Sequence, residues 1–493
     1  MESPATDTTG SLDALRQRIA SAKALSSRIP SATTDRLLAA FREGLLLSEE
    51  QILQANRADV KEAAASGEIS PALQKRLPLD ARKLQALAAA IDALAATPSP
   101  IGKCTLATEL TEGLHLYRVS VPLGALLIIF EGRPEAFVQI ASLGLKSGNV
   151  CLLKGGKEAA RTNKALHDAF TLGIRSVFGR GLLGANMVPE EDINGLCSLV
   201  QLVETRDDVQ QLLKLDDCID LVIPRGSNAL VRFVQSHTNI PVMGHADGIC
   251  HAYADADCAS TPERLKDAIA IIRDSKLQYV AACNALEVLL VHKDAAEALL
   301  PALGAALAAE GVRYRADEEA AAWLPKEATE AARPEDFATE WLAPILSVRI
   351  VETIQEALHA INNNGSHHTD VILSFSPTNI ETFMRGVCSA DVFCNCSTRF
   401  ADGYRFGFNA EVGIATGKTH ARGPVGLEGL CTYAYRLYGR GHTVAAVERR
   451  AAEQGLPGFT HRPLLVVEQT SIGSAVLVNE DGIDAFERSR LLQ

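Results

Sequence analysis

The sequence has no Cys-x-x-Cys pair, no excess of positive charge and no uninterrupted apolar stretch long enough to span a bilayer. Each absence removes a class of protein. The 11 cysteines are an odd number scattered through apolar segments, unlike the framework of a small secreted protein, and fit reduced buried thiols. The close pair Cys394 and Cys396 lacks a second pair or a histidine at zinc spacing, so no metal site is expected. His367-His368 has no partner at a metal-ligand spacing either and reads as surface. A net charge of -12 excludes a nucleic-acid-coating surface, although a local basic pocket for a phosphate can sit inside an acidic protein.

Met1-Glu2-Ser3-Pro4 is not a basic segment followed by an apolar run, so a cytoplasmic protein with no membrane association is expected. Gly413-Ile414-Ala415-Thr416-Gly417-Lys418-Thr419 is one residue short between its glycines for a phosphate-cradling loop, which removes the main support for a kinase. No fixed-period repeat is found.

What is present is core material. Of the 493 residues 47% are apolar and 22% charged, and a chain of this length exceeds the size at which one hydrophobic core stops growing, so two large domains are expected. The first hundred residues read as helices, with Leu37, Leu38, Phe41 and Leu45 in one stripe and Leu84, Leu87, Ile91 and Leu94 in another. Ser48 with Gln51 is a capping-box pattern, and Ser70-Pro71 places a cap residue before a proline at a first helical position. From about Val121, short apolar runs alternate with helical stretches at 126–129, 150–153, 199–203 and 219–223. A second series follows Cys283, at 287–291, 345–350 and 370–375. This is the pattern of parallel strands with crossover helices, hence an α/β fold of two open twisted parallel-sheet domains with a boundary near residue 282. Further apolar runs at 464–467 and 475–478 have no assigned task.

In open parallel sheets anions collect where a strand ends and a helix begins, because backbone N–H groups and the helix dipole favour negative charge. Two turns have that form: Lys154-Gly155-Gly156-Lys157 and Arg225-Gly226-Ser227. Each joins glycine, which permits close backbone approach, to a cation; together they favour a nucleotide.

Cys283 stands in Gln278-Tyr279-Val280-Ala281-Ala282-Cys283-Asn284-Ala285, directly before an apolar strand and among small residues. Residue chemistry leaves two readings open: a reacting thiol with Asn284 as a nearby hydrogen-bond donor, or a cysteine serving as a small hydrophobe. The loops Asn395-Cys396-Ser397-Thr398-Arg399-Phe400-Ala401-Asp402-Gly403 and Lys418-Thr419-His420-Ala421-Arg422-Gly423-Pro424 are dense in donors and cations. They are either solvated connectors or substrate claspers; arginine would suit an acyl phosphate or a small dicarboxylate.

These segments together resemble the aldehyde dehydrogenase superfamily, and within it the gamma-glutamyl phosphate reductases, from about residue 12 to about residue 448. The resemblance is carried by ordered blocks. They are Val121-Pro122-Leu123-Gly124 with Glu131-Gly132-Arg133-Pro134; Ala141-Ser142-Leu143 with Lys146-Ser147-Gly148-Asn149; and Lys154 to Glu158 with Arg161-Thr162-Asn163. Then follow Ile223-Pro224-Arg225-Gly226, Cys283-Asn284, Ser397 to Gly403, and His420 to Pro424 with Gly426-Leu427-Glu428.

The resemblance implies a cofactor-binding domain over 1–103 and 121–281 and a catalytic domain over 282–430. A small β oligomerisation arm would come from 104–120 and 431–448, leaving 449–493 as an extension of unassigned role. It implies Cys283 as nucleophile, assisted by Asn284. Glu131, Arg133, Asn395, Arg399, His420 and Arg422 become substrate-binding residues. Lys154, Gly155, Gly156, Lys157, Arg225, Gly226, Ser227 and Glu340 become cofactor-binding residues, with Glu340 holding the nicotinamide ribose. A carboxylate that holds the ribose 2′-hydroxyl would repel a 2′-phosphate, and the Lys154 to Lys157 turn offers glycines and lysines instead, so NADPH is expected over NADH.

Hydrolytic members of the superfamily carry a water-activating Glu where this chain reads Val242-Met243-Gly244-His245-Ala246-Asp247-Gly248, with no carboxylate at the Glu position. The implied reaction is therefore reduction of L-glutamyl 5-phosphate to L-glutamate 5-semialdehyde through a Cys283 thioester, in proline biosynthesis. The oxyanion would be met by the Cys283 backbone N–H and the Glu131 to Pro134 loop. Expected partners are further copies of the chain in a homo-oligomer and, since no amino-acid kinase segment is seen, transient contact with a separate glutamate kinase. Another acylating semialdehyde dehydrogenase of this fold, or a catalytically silent binding protein, are the alternatives.

Overall fold

The computed structural model describes residues 8–67, 74, 76–179, 190–204, 206–226, 228–244, 247–455, 457–470 and 474–478. Ser70-Pro71 and Ser227, named above, lie outside the described residues. By internal contacts the chain separates into two compact units, one of residues 1–127, 132–221 and 427–493, the other of 128–131 and 222–426.

The first unit begins with helices Thr8–Ser26, Ser31–Leu47, Glu49–Ser66 and Ala81–Ala95. The last of these shows how local sequence sets an element. The Asp80 carboxylate accepts the Lys83 N–H at 2.7 Å and satisfies one orphan donor of the first turn. Leu84, Leu87, Ala88, Ile91 and Leu94 then recur every three or four residues and are all buried. Leu37, Leu38, Phe41 and Leu45 form the matching buried stripe of Ser31–Leu47. That helix crosses Ala160–Gly179 through two glycines: a Cβ added at Gly44 would strike the Ala169 carbonyl, and one at Gly173 the Ala40 carbonyl.

The capping box expected at Ser48 does not form. Ser48 ends one helix and precedes the next with φ -106° and ψ 15°, and its hydroxyl makes no cap hydrogen bond. Its N–H already reaches back to the Gly44 carbonyl at 3.0 Å, so the backbone is committed to the preceding helix and cannot take the extended geometry of a cap.

A four-stranded sheet takes the order Val200–Leu202, Val150–Lys154, Ala125–Phe130, Leu221–Arg225, with the first two paired in parallel. A separate antiparallel sheet takes the order Cys431–Tyr438, Leu114–Pro122, Cys104–Thr111, Arg462–Pro463. Tyr433, Tyr435 and Leu437 are exposed on its edge strand. The C-terminal segment thus has an observed place: Arg462–Pro463 pairs with Cys104–Thr111, and Leu465–Thr470 pairs antiparallel with Ser474–Val478.

The second unit is built on seven parallel strands in the order Thr329–Ala331, Arg313–Ala316, Ile345–Val351, Leu286–His292, Cys250–Ala254, Thr369–Leu373, Asp391–Cys394. Its central strand is buried on both faces. Leu289 and Val291 point into a core with helices Pro262–Leu277 and Lys293–Ala308, whereas Val288 and Leu290 point into another with Ile354–Asn364 and Pro377–Gly386. Period-two alternation of the apolar residues of a buried strand between two helix layers is the doubly wound arrangement. His368, expected at the surface, is instead fully buried ahead of Thr369–Leu373, with Nδ1 at 2.7 Å from the Thr369 hydroxyl. Lack of a metal partner argued against a ligand, but said nothing about burial. Among the described residues no helix is long and apolar enough to cross a membrane.

Candidate active site

Helix Pro262–Leu277 positions the cysteine turn. Its N-cap is the Thr261 hydroxyl, which accepts the Arg264 N–H, and its last turn places three side chains in succession. Ser275 Oγ accepts the Thr398 N–H at 3.1 Å, Lys276 Nζ meets Glu287 at 2.6 Å, and Gln278 Oε1 accepts the Arg399 Nε–H at 2.9 Å. The chain then makes a tight turn, with the Ala282 N–H on the Tyr279 carbonyl at 3.2 Å and the Ala285 N–H on the Ala282 carbonyl at 2.9 Å. The half-buried Cys283 is held in this turn, immediately ahead of strand Leu286–His292.

Close packing fixes the backbone of Cys283 from below. A Cβ added at Gly248 would approach Cys283 Cα to 2.6 Å, so only glycine admits this contact. The buried Cys250 thiol donates to the Cys283 carbonyl at 3.3 Å. Burial pushes the Cys250 thiol well above its ordinary value, which makes it a neutral donor rather than a second nucleophile.

Asn284 is buried and wired to the Ser397 to Ala401 loop. Its Nδ2 donates to the Ala401 carbonyl at 2.8 Å, and its own carbonyl accepts the Thr398 hydroxyl at 2.7 Å. Arg399 is buried beside them, with its guanidinium carbon 5.8 Å from the Tyr279 ring centroid. Burial lowers the Arg399 pKa, and the charges of Cys283 and Asp402 oppose that effect. Cys283, Asn284 and Arg399 therefore belong to one hydrogen-bonded constellation. Gln278, Thr398, Ser275, Gly248 and Cys250 complete it. Gln278 and Thr398 lie in segments the sequence singles out; Cys250 carries no sequence signal beyond a cysteine next to an apolar run.

Other expected site residues occupy different settings. Asn395 has φ 51°, and its amide pairs in both directions with the Ser374 backbone, accepting at 3.0 Å and donating at 2.8 Å. It also lines a cavity of about 330 Å³ with Arg264, Ile271 and Phe375, which Cys283 does not line. The Arg422 guanidinium donates to the carbonyls of Thr416 at 3.1 Å, Ser389 at 3.0 Å and Cys388. His420 and Glu131 are exposed, and Glu340 is partly buried. Arg225 ends strand Leu221–Arg225 and donates to the Glu411 carbonyl at 3.4 Å. A Cβ at Gly226 would approach Glu131 to 2.6 Å.

In the first unit, Lys154 closes strand Val150–Lys154 and its ammonium donates to the Gly155 carbonyl at 2.5 Å, while the exposed Lys157 opens a short 3-10 helix. Arg133 is the exposed N-cap of helix Pro134–Lys146. A carboxylate does stand at this turn, although not where sequence reasoning sought one. Glu158 lies against Gly156, and its Oε1 accepts the Gly132 N–H at 2.6 Å.

Two sheet-based α/β units, with a cysteine turn leading into a buried parallel strand, define the aldehyde dehydrogenase-like class. Acetylating aldehyde dehydrogenase from Geobacillus thermoglucosidasius shares this fold at a TM-score of 0.58 and 16% identity, over 88% of this chain and 98% of that one. Gamma-glutamyl phosphate reductase from Thermotoga maritima superposes with a TM-score of 0.80 at 31% identity, over 88% of this chain and 99% of that one. Among sequence relatives, the gamma-glutamyl phosphate reductase of Trichormus variabilis is 45% identical over 92% of this chain and 98% of its own length. That of Acetivibrio thermocellus is 46% identical over 82% of this chain and 88% of its own. No family model matches the chain. The chain belongs to the gamma-glutamyl phosphate reductase family.

Proposed function

We propose that the protein reduces L-glutamyl 5-phosphate to L-glutamate 5-semialdehyde, with NADPH as reductant and Cys283 as nucleophile, in proline biosynthesis. The observation that carries this reading is the Cys283–Asn284 turn, hydrogen-bonded to the loop that bears Arg399, in a chain of this family. The Cys283 thiolate adds to the acyl carbon, the tetrahedral oxyanion collapses, and phosphate leaves, so that the glutamyl group is held as a thioester. Backbone N–H groups of the turn serve the oxyanion, a contact worth about 3 kcal/mol in comparable sites. The Glu131 to Pro134 loop is assigned to the same oxyanion, with its Gly132 N–H already engaged by Glu158. Arg399 is buried in the loop tied to the Cys283–Asn284 turn, feels the charge of Cys283, and is assigned to the anionic substrate.

The donor set fits a nicotinamide dinucleotide. Lys154 closes one strand ahead of Gly155, Gly156 and Lys157, Arg225 closes another ahead of Gly226, and Glu340 would hold the ribose, with Ser227 assigned to the same cofactor. When bound, NADPH supplies the hydride that reduces the thioester. Absence of a carboxylate at the water-activating position within Val242 to Gly248 protects the thioester from hydrolysis until then. His420 and Arg422 remain assigned to the substrate side, as do Asn395, Glu131 and Arg133. The antiparallel sheet of Cys104–Thr111, Leu114–Pro122 and Cys431–Tyr438 is assigned to homo-oligomer formation.

The deciding experiment follows phosphate-dependent reduction of NADP by L-glutamate 5-semialdehyde in the unmodified enzyme and in Cys283→Ala. Loss of the reaction in the variant is expected; equal rates would end the proposal. Faster reaction with NAD than with NADP would end the cofactor assignment alone.

A further inference from the structure

Lys276 and Glu287 form a fully buried ion pair, 2.6 Å apart, beneath the cysteine turn. The mechanism above uses neither residue. Burial pushes the Glu287 carboxyl up to about 7 and the Lys276 ammonium down, and the neighbouring charge of Glu340 adds to the rise at Glu287. Both shifts favour one proton shared across a short contact. Burying such a pair is costly, and apolar residues of similar volume would serve packing as well or better, so packing does not explain it.

The second oxygen of Glu287 points elsewhere. Its Oε1 accepts the backbone N–H of Leu342 at 3.3 Å. Leu342 has φ 49°, in the left-handed region that side-chain-bearing residues rarely adopt, and its side chain is 47% exposed, so side-chain burial does not hold it there. A strained backbone persists only where its surroundings fix it, and the Glu287 carboxylate is a fixed partner of this one. On the other side of the same loop the Trp341 indole N–H donates to Ser347 Oγ at 3.1 Å, and Ser347 Oγ donates to the Asp336 carbonyl at 2.7 Å. Glu340 lies two residues before Leu342 on this anchored loop.

We infer that Glu287, held by Lys276, is a positioning residue that fixes the Thr339 to Pro344 loop through the Leu342 N–H and thereby sets Glu340 for the nicotinamide ribose. The inference rests on the assignment of Glu340 made above. Glu287 lies four residues after Cys283 and Lys276 seven before it, so the element that presents the nucleophile also orients the cofactor carboxylate.

Removing one partner alone would leave a buried charge, so the test uses neutral pairs. Lys276→Met with Glu287→Gln keeps an acceptor for the Leu342 N–H; Lys276→Met with Glu287→Leu removes it. NADPH affinity by fluorescence titration and KM for NADPH are expected to stay near the unmodified values in the first pair. In the second they should weaken about tenfold, while kcat at saturating NADPH changes by less than about threefold. The rate of Cys283 alkylation by iodoacetamide should be unchanged in both. Equal NADPH affinity in the two pairs overturns the inference.

Glu340→Gln separates the two readings. If it weakens NADPH and the Glu287→Leu pair does not, the inference falls alone; if neither weakens it, the assignment of Glu340 falls and the inference with it. Should the Glu287→Leu pair fail to fold, hydrogen exchange of the unmodified protein decides. Slow exchange at the Leu342 amide supports the anchor, and exchange as fast as at an exposed loop amide overturns it.

Discussion

The Thr398 hydroxyl donates to the backbone carbonyl of Asn284 at 2.7 Å, tying the residue next to the nucleophile to a loop 114 positions further along the chain. Both partners are buried, and the reciprocal bond from Asn284 Nδ2 to the Ala401 carbonyl closes the link. Thr398→Val keeps the shape and removes the donor, leaving the Asn284 carbonyl unpaired at a cost of about 1–3 kcal/mol. Denaturant midpoints should fall accordingly and kcat by about tenfold, with Thr398→Ser restoring both. A valine variant with unchanged kcat would show that the tie does not orient the cysteine turn.

Arg399 and Arg422, paired in the sequence reading as substrate cations, differ in their bonding. Arg399 is fixed through Nε to Gln278, whereas Arg422 spends its guanidinium on three main-chain carbonyls. Arg399→Lys cannot reproduce a planar fork, so kcat/KM for the semialdehyde should drop about 10- to 100-fold with little change in melting temperature. Arg422→Lys should lower the melting temperature as well as kcat/KM. Steady-state kinetics and thermal melts on the two variants check this, and a reversed pattern would exchange their roles.

Gly248 is a further constraint on the nucleophile. A methyl there would meet the Cys283 Cα at 2.6 Å and press on its carbonyl, and neither neighbour is a flexible side-chain end. Gly248→Ala must shift the cysteine turn, by an amount that can cost about 100-fold in rate. The variant should fold, bind NADPH normally and lose kcat, as single-turnover measurement would show. Full activity would mean that the turn relaxes without moving the sulfur.

Much of the fold was legible because buried strands announce themselves locally. The apolar runs at 126–129, 150–153, 287–291 and 345–350 became strands Ala125–Phe130, Val150–Lys154, Leu286–His292 and Ile345–Val351. The runs at 464–467 and 475–478 became the antiparallel pair Leu465–Thr470 and Ser474–Val478, within three residues of their limits. What failed depended on context that no window contains. Ser48 has the residues of a capping box but the backbone of a helix end, and His368 is polar yet buried just ahead of strand Thr369–Leu373. At the site, Cys283, Asn284 and Arg399 lie in segments that sequence alone could single out. The Lys276–Glu287 pair and the Cys250 donor were invisible, because their meaning lies in partners that only the folded chain brings together.

Asp391 opens the last strand of the seven-stranded sheet and is buried beside the Thr369 hydroxyl, 3.4 Å away. Burial raises its carboxyl from an ordinary value of 3.8 to about 6, against the opposing effects of Thr369 and Arg422. A folded-state value above the unfolded one means that the native protein binds the proton more tightly. The stability this contributes is present in full below about pH 4 and is lost as pH rises through about 6, a span worth up to about 3 kcal/mol. Asp391→Asn is neutral throughout and can still accept from Thr369. Its stability relative to the unmodified protein should therefore climb between about pH 4 and about pH 6 and level off above. Urea unfolding of both proteins across this range measures the difference directly, and a difference that does not change with pH would show that Asp391 titrates alike in the folded and unfolded chains.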